Sequence, residues 1–200
     1  MNRTVKTATL LIALAVAFSF SQEQENEIRF GGRVAYNISS KSDYNAIDGG
    51  IVGPGFAVGA AVSIPIIGTI AFNPELNLIY RQPLSIEVPE NVSEFGKVGI
   101  TEFAISIPAL FQFMPLGGPI FYLEAGIQLD IPFATNEAKD ILGIYPDRTA
   151  FDFGIPLGIG WHIGKHFALD YRIFVGLTSI GKRLTNYSLV QSELGLIYLI

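Results

Sequence analysis

The side chains best suited to chemistry in this chain are few, and their placement decides what they could do. His162 and His166 are its two histidines, the residue type that most readily moves protons near neutral pH. No serine stands at an obvious spacing from either one and an acid, and a catalytic triad is in any case recognised by geometry. His162 reads as a residue bonded to a neighbouring carboxylate, and His166 as a turn residue. Eight acids, Asp43, Asp48, Glu87, Glu90, Glu94, Glu137, Asp140 and Asp147, could offer oxygen ligands to calcium, but their spacing matches no dedicated calcium loop. They read as a solvated rim. What remains is a scatter of charges inside otherwise apolar stretches: Arg33, Glu75, Glu124, Asp170, Arg172 and Glu193, with Glu102, Asp130 and Asp152. An isolated charge in such surroundings is expensive unless it is paired. These residues are therefore the candidates for a functional or structural centre, and no cofactor or metal is expected.

The elements that hold them begin after residue 21. Arg3 and Lys6 followed by the apolar run Ala8 to Phe20, with small residues at Ser19 and Ser21, have the form of a secretory signal peptide. The run is shorter than the ~20 residues that span a bilayer as a helix. The expected organisation is a signal peptide over 1–21 and one domain over 22–200. Loss of Arg3 and Lys6 leaves 11 basic against 18 acidic side chains, a net charge of -7. That balance argues against nucleic acid, whose phosphates call for clustered Lys and Arg. There is no cysteine, so neither a disulfide nor a thiolate metal site supports the fold.

Composition points to lipid. Half of the residues are hydrophobic, 16% are charged, 21 are glycine, and mean hydropathy is +0.41. Past the signal, Gly or Pro interrupts every long apolar run, which disfavours membrane helices. A closed β-barrel is the other structure that satisfies every backbone polar group in a bilayer.

Eight segments alternate or are rich in β-forming residues, at 27–38, 55–64, 69–80, 99–113, 119–131, 150–163, 166–178 and 187–200, each close to the ~9–11 residues of a tilted spanning strand. Their connections alternate in length. Ser39 to Pro54, Arg81 to Val98, Pro132 to Thr149 and Ser179 to Asn186 are long and polar, whereas Pro65 to Gly68, Met114 to Gly118, and Gly164 with Lys165 are short. Short periplasmic turns and long outer loops give that rhythm. Phase agrees: Phe121, Leu123, Ala125, Ile127, Leu129 and Ile131 share one side of the fifth segment, against Tyr122, Glu124, Gly126, Gln128 and Asp130. Large apolar residues facing out and small or polar ones facing in invert the soluble pattern. Pro74, Pro108 and Pro156 fall inside segments, where a bulge would flip the local phase. The predicted fold is all-β, an eight-stranded antiparallel up-and-down transmembrane β-barrel.

In that arrangement Arg33, Glu75, Glu124, Asp170, Arg172 and Glu193 come to mid-height in the lumen, with Glu102, Asp130 and Asp152 nearer the outer rim. Eight strands enclose a space that side chains just fill. Arg33 and Arg172 are expected to bridge carboxylates, Glu193 among them, as a polar plug; a narrow proton or ion path, or a binding cup, is the alternative.

Several motifs carry a family resemblance. Asn73-Pro-Glu-Leu-Asn-Leu-Ile-Tyr80, Ile107-Pro108, Tyr122-Leu-Glu-Ala-Gly126, Asp152-Phe-Gly-Ile-Pro-Leu-Gly-Ile-Gly160 and Leu169-Asp-Tyr-Arg172 leading to Gly176-Leu-Thr-Ser-Ile180 resemble, in order and spacing, the PorT-like outer-membrane β-barrel domain family. The resemblance implies an eight-stranded barrel of a Gram-negative outer membrane and supplies no catalytic residues. Outer-membrane barrels commonly end in an aromatic residue recognised during assembly, whereas this chain ends Tyr198-Leu199-Ile200.

The functional expectation is a non-enzymatic barrel, structural or binding a partner through its outer loops. Its other contacts would be outer-membrane lipid and the barrel-assembly machinery. A small channel or ligand-binding barrel is the second reading. A lipid-modifying enzyme, the third, would need a nucleophile and base at the outer rim.

Overall fold

Strands that meet lipid on one face and a packed lumen on the other alternate with period two. The structure, a computed structural model describing residues 27–43, 53–87, 97–115, 120–136, 150–178 and 187–200, turns that alternation into eight strands. They are β1 (Arg29–Asp43), β2 (Gly53–Ile67), β3 (Ile70–Glu87), β4 (Lys97–Phe113), β5 (Phe121–Asn136), β6 (Asp152–Ile163), β7 (Phe167–Gly176) and β8 (Tyr187–Leu199). Each pairs antiparallel with the next. β8 returns to β1 in a register running from Gly31↔Leu199 to Asp43↔Tyr187, which closes the barrel. Closure leaves no strand edge without a backbone partner, the condition for crossing a bilayer with sheet.

The short connections gather at one end together with Arg29 and Leu199. Gly68 and Gly164 open two of these turns with φ of 37° and 71°, a left-handed backbone that glycine adopts without strain. Asp43 and Glu87, expected in loops, end β1 and β3; the rest of the long connections, with Asp48, Glu90, Glu94, Glu137, Asp140 and Asp147, and the expected signal peptide lie outside the described residues.

Several strands outrun their expected limits at the loop end: β1 reaches Asp43 instead of 38, β3 Glu87 instead of 80, and β5 Asn136 instead of 131. Backbone pairing needs no apolar side chain, so the ladder continues past the lipid-facing alternation. One consequence is a correction: Arg81, expected in an outer loop, sits in β3 opposite Glu102 of β4.

Pro74, Pro108 and Pro156 do not flip the phase. Pro74 pairs with Ala109 of β4, Pro108 with Gln128 of β5, and Pro156 with Phe174 of β7. On its other side each interrupts a ladder, while the pairs flanking the gap keep one register. A strand residue directs its N–H toward one neighbour only, so proline weakens one ladder and leaves the other to hold alignment. Register shifts fall at other prolines, between Pro65 and Ile67, between Arg81 and Leu84 across Pro83, and between Phe103 and Ala104 opposite Pro132.

Outward-facing side chains are large and apolar, with Phe56 60%, Leu76 56% and Leu157 53% exposed. Cross-strand aromatic pairs mark both margins of this surface. Phe121–Trp161 and Phe167–Tyr198, with ring centres 5.7 and 5.0 Å apart, lie toward the turn end; Tyr36–Phe56 and Tyr80–Phe103, at 5.6 and 5.1 Å, lie toward the loops. Aromatic belts of this kind sit at the two water interfaces of a membrane barrel.

Candidate functional site

The inward positions of the strands are where the charges converge. At the turn end the lumen has an apolar floor, a cluster containing Ala61, Ala71, Met114, Tyr122, Ala168, Ile197 and Leu199. Above it, β1, β3, β5, β7 and β8 each contribute charge to a network around two buried guanidiniums. Arg33 donates to both oxygens of Asp170, Nε to Oδ2 at 3.2 Å and Nη2 to Oδ1 at 2.9 Å. Its Nη1 lies 2.9 Å from Glu193 Oε2, and its Nε lies 3.9 Å from Glu75. Arg172 takes Glu75 in a two-point pairing at 2.7 and 2.8 Å. It also donates through Nε to Glu124 and lies 3.0 Å from Asp170. Asn77 donates to Glu75 at 2.9 Å and Gln112 to Glu124 at 3.2 Å.

The structure thus brings Arg33, Glu75, Glu124, Asp170, Arg172 and Glu193 into one cluster, every member at most 7% exposed. Glu193 forms an ion pair with Arg33, while its backbone pairs with that of Arg172. Charge-assisted, two-point hydrogen bonds of this kind are the geometry in which a buried guanidinium and carboxylate compensate each other's desolvation.

Glu102, Asp130 and Asp152 meet a partner expected in an outer loop, Arg81. Arg81 is fully buried, with Nε 2.8 Å from Glu102 Oε1, Nη1 2.7 Å from Asp130 Oδ2 and Nη2 2.7 Å from Asp152 Oδ2. One side chain from β3 therefore gathers β4, β5 and β6. Gln191 on β8 joins the two layers: its Oε1 lies 3.4 Å from Arg81 Nη1, and its Nε2 donates to Glu193. A chain of polar contacts consequently runs from Arg81 near the loops to Arg172 at mid-height.

Inner glycines seat the large polar side chains. Gly160 is the register partner of Tyr122, and a Cβ on Gly160 would fall 2.1 Å from the Tyr122 ring; one on Gly195, partner of Asp170, would fall 2.3 Å from Asp170 Oδ1 and 2.7 Å from Arg33 Nη2. Only glycine leaves the polar group room to lie across the neighbouring backbone.

Both histidines lie at the turn end. His162 packs against Tyr122 in a tilted arrangement with ring centres 5.0 Å apart, and His166 Nδ1 lies 2.9 Å from the Leu199 carbonyl. Among the described residues no group of three metal-ligating side chains comes together.

A closed up-and-down barrel with a greasy outer wall, aromatic margins and an ion-paired interior defines an integral outer-membrane protein, and this chain is one, placed in the outer membrane of a Gram-negative bacterium. Residues 20–181 match the outer membrane protein beta-barrel domain family, and the chain belongs to it. Among solved structures it is similar to Ail, the attachment invasion locus protein of Yersinia pestis, at 12% identity over 87% of this chain and 99% of that one, with a TM-score of 0.52. It is also similar to OprG from Pseudomonas aeruginosa (10% identity, 86% and 95% covered, TM-score 0.49) and to neisserial surface protein A (14% identity, 86% and 96% covered, TM-score 0.48). The likeness to Ail is one of fold. No curated protein matches the chain.

Proposed function

We propose that the barrel is a closed, non-enzymatic scaffold that acts through what it presents outside the membrane, binding a partner with its four long loops or contributing structurally to the outer membrane. The observation that carries this reading is the filling of the lumen. The Arg81 layer, the Arg33–Arg172 layer and the apolar floor follow one another along the axis, the first two joined by Gln191. An interior spent on holding strands together leaves specificity to the loops, which vary freely on a rigid frame.

A non-enzymatic role is supported by the use of the candidate acids and bases within the barrel itself. The inward carboxylates are bonded to guanidiniums, His166 to the Leu199 carbonyl, and His162 packs on Tyr122. Within the family, the ordered motifs from Asn73 to Ile180 favour a PorT-like placement. The outward side chains suit outer-membrane lipid, and Tyr198 on β8 suits recognition by the barrel-assembly machinery. An N-terminal signal peptide over 1–21 accounts for export.

Planar-bilayer recording tests the closed lumen. Wild-type protein is expected to give no steady conductance; a reproducible open step in the unmodified barrel would sink the scaffold reading in favour of a channel.

A further inference from the structure

The turn-end mouth of the lumen holds a small polar pocket beside the ion network, with Glu75 as the wall they share. Ser63 on β2, Asn73 and Glu75 on β3, Gln112 on β4, Tyr122 on β5 and His162 on β6 line it, beside an aliphatic wall that includes Ile197 and Leu199. Its cavity volume is about 10 Å³, enough for roughly one water.

Two of the lining side chains carry buried polar atoms without a hydrogen bond. Asn73 is 5% exposed, and neither its amide nitrogen nor its amide oxygen makes a hydrogen bond; Tyr122 is fully buried, and its hydroxyl makes none. Buried amides and hydroxyls are almost always hydrogen-bonded, because leaving them unmatched forfeits their solvation. The charge on the inner wall is already compensated, since Glu75 receives Arg172 and Asn77. What the pocket offers is an amide donor, an amide acceptor and a phenol, a set that suits a neutral molecule able both to give and to take hydrogen bonds.

We infer that this pocket is a one-sided binding site for a single small uncharged hydrogen-bonding molecule, water or another of its size, which enters from the periplasmic end and is held by Asn73 and Tyr122. The inference rests on the closed-lumen reading, because the Glu75–Arg172 pair is what stops the pocket from continuing outward.

The chain contains no cysteine, so Ser63→Cys gives a single thiol at the pocket without background. The barrel is reconstituted in vesicles in one orientation, and silver ion, a thiol-binding probe about the size of a water molecule, is supplied to either face, its labelling of the thiol read as loss of maleimide reactivity after unfolding. Folding is checked by heat-dependent gel mobility, with Ala61→Cys as a second reporter should the first fail to fold. Labelling from the turn face alone, lost when Asn73→Leu fills the pocket with an apolar side chain, is the expected result. Labelling from neither face overturns the pocket while the closed lumen stands. Labelling from both faces overturns the closed lumen and, with it, the one-sided site.

Discussion

Glu75 and Arg172 meet across the lumen through two parallel contacts, Nη2 to Oε1 at 2.7 Å and Nη1 to Oε2 at 2.8 Å, and so brace β3 against β7, two strands that share no ladder. Removing the cation would leave Glu75 and Glu124 buried without it. Arg172→Met is therefore expected to destabilise the barrel by about 3–5 kcal/mol, the range for breaking one side of a buried pair. Arg172→Lys keeps the charge and loses the two-point geometry, so its loss is expected to be smaller. Urea unfolding in phospholipid vesicles reads both; a Met variant as stable as wild type would refute the brace.

The glycine seats make a sharper comparison. Gly160→Ala and Gly195→Ala place a methyl against Tyr122 and against Asp170 with Arg33, so each is expected to lower stability by about 1–3 kcal/mol, as overpacked sites do. Gly32 faces outward, and the nearest atom to a Cβ there is 3.6 Å away. Gly32→Ala is expected to be neutral or mildly stabilising in the same assay. Equal losses at Gly32 and Gly160 would show that backbone freedom, not seating, explains the inner glycines.

On the outer wall, Leu157 stands halfway along β6 and is 53% exposed. A guanidinium at that depth would meet acyl chains, so Leu157→Arg is expected to cost about 2–4 kcal/mol in vesicles. An unaffected midpoint would mean that this face does not meet the hydrocarbon.

Trp161 is the single tryptophan, and it packs on Phe121 in the turn-side aromatic belt. Its emission is expected to shift to the blue on folding into vesicles. Lipids brominated close to the headgroups should quench it more than lipids brominated near the bilayer centre, because an indole in such a belt sits at headgroup level. The reverse order would move the belt, and the barrel, relative to the membrane.

The strand count, the inverted alternation and the long-short rhythm of connections were all legible in the sequence, because lipid on one side and a crowded lumen on the other force a period of two that survives single irregularities. The inward charges could be found for the same reason, each being an exception within an apolar run. Arg81 escaped because Arg81-Gln82-Pro83 has the composition of a loop and a register shift follows it in β3. A signal was present even so: the inward series Asn73, Glu75, Asn77, Ile79 continues to Arg81, while Glu102, Asp130 and Asp152 lacked a cation. Gln191 was missed because a neutral amide does not announce burial. Pro74, Pro108 and Pro156 misled in the other direction, since a missing N–H is visible in the sequence, whereas the intact ladder on the opposite side is a property of the assembled sheet.

The seam between β1 and β8 has a kinetic consequence. It joins residues some of the most distant along the chain, and Gly31 lies so close to the Tyr198 carbonyl that a Cβ would fall 1.8 Å from it. Loop-closure entropy makes such remote pairing slow, so the seam is the natural last step of assembly. Until it zips, two bare strand edges remain open to pairing with other chains, and the window for aggregation is set by how soon the two ends of the domain find each other.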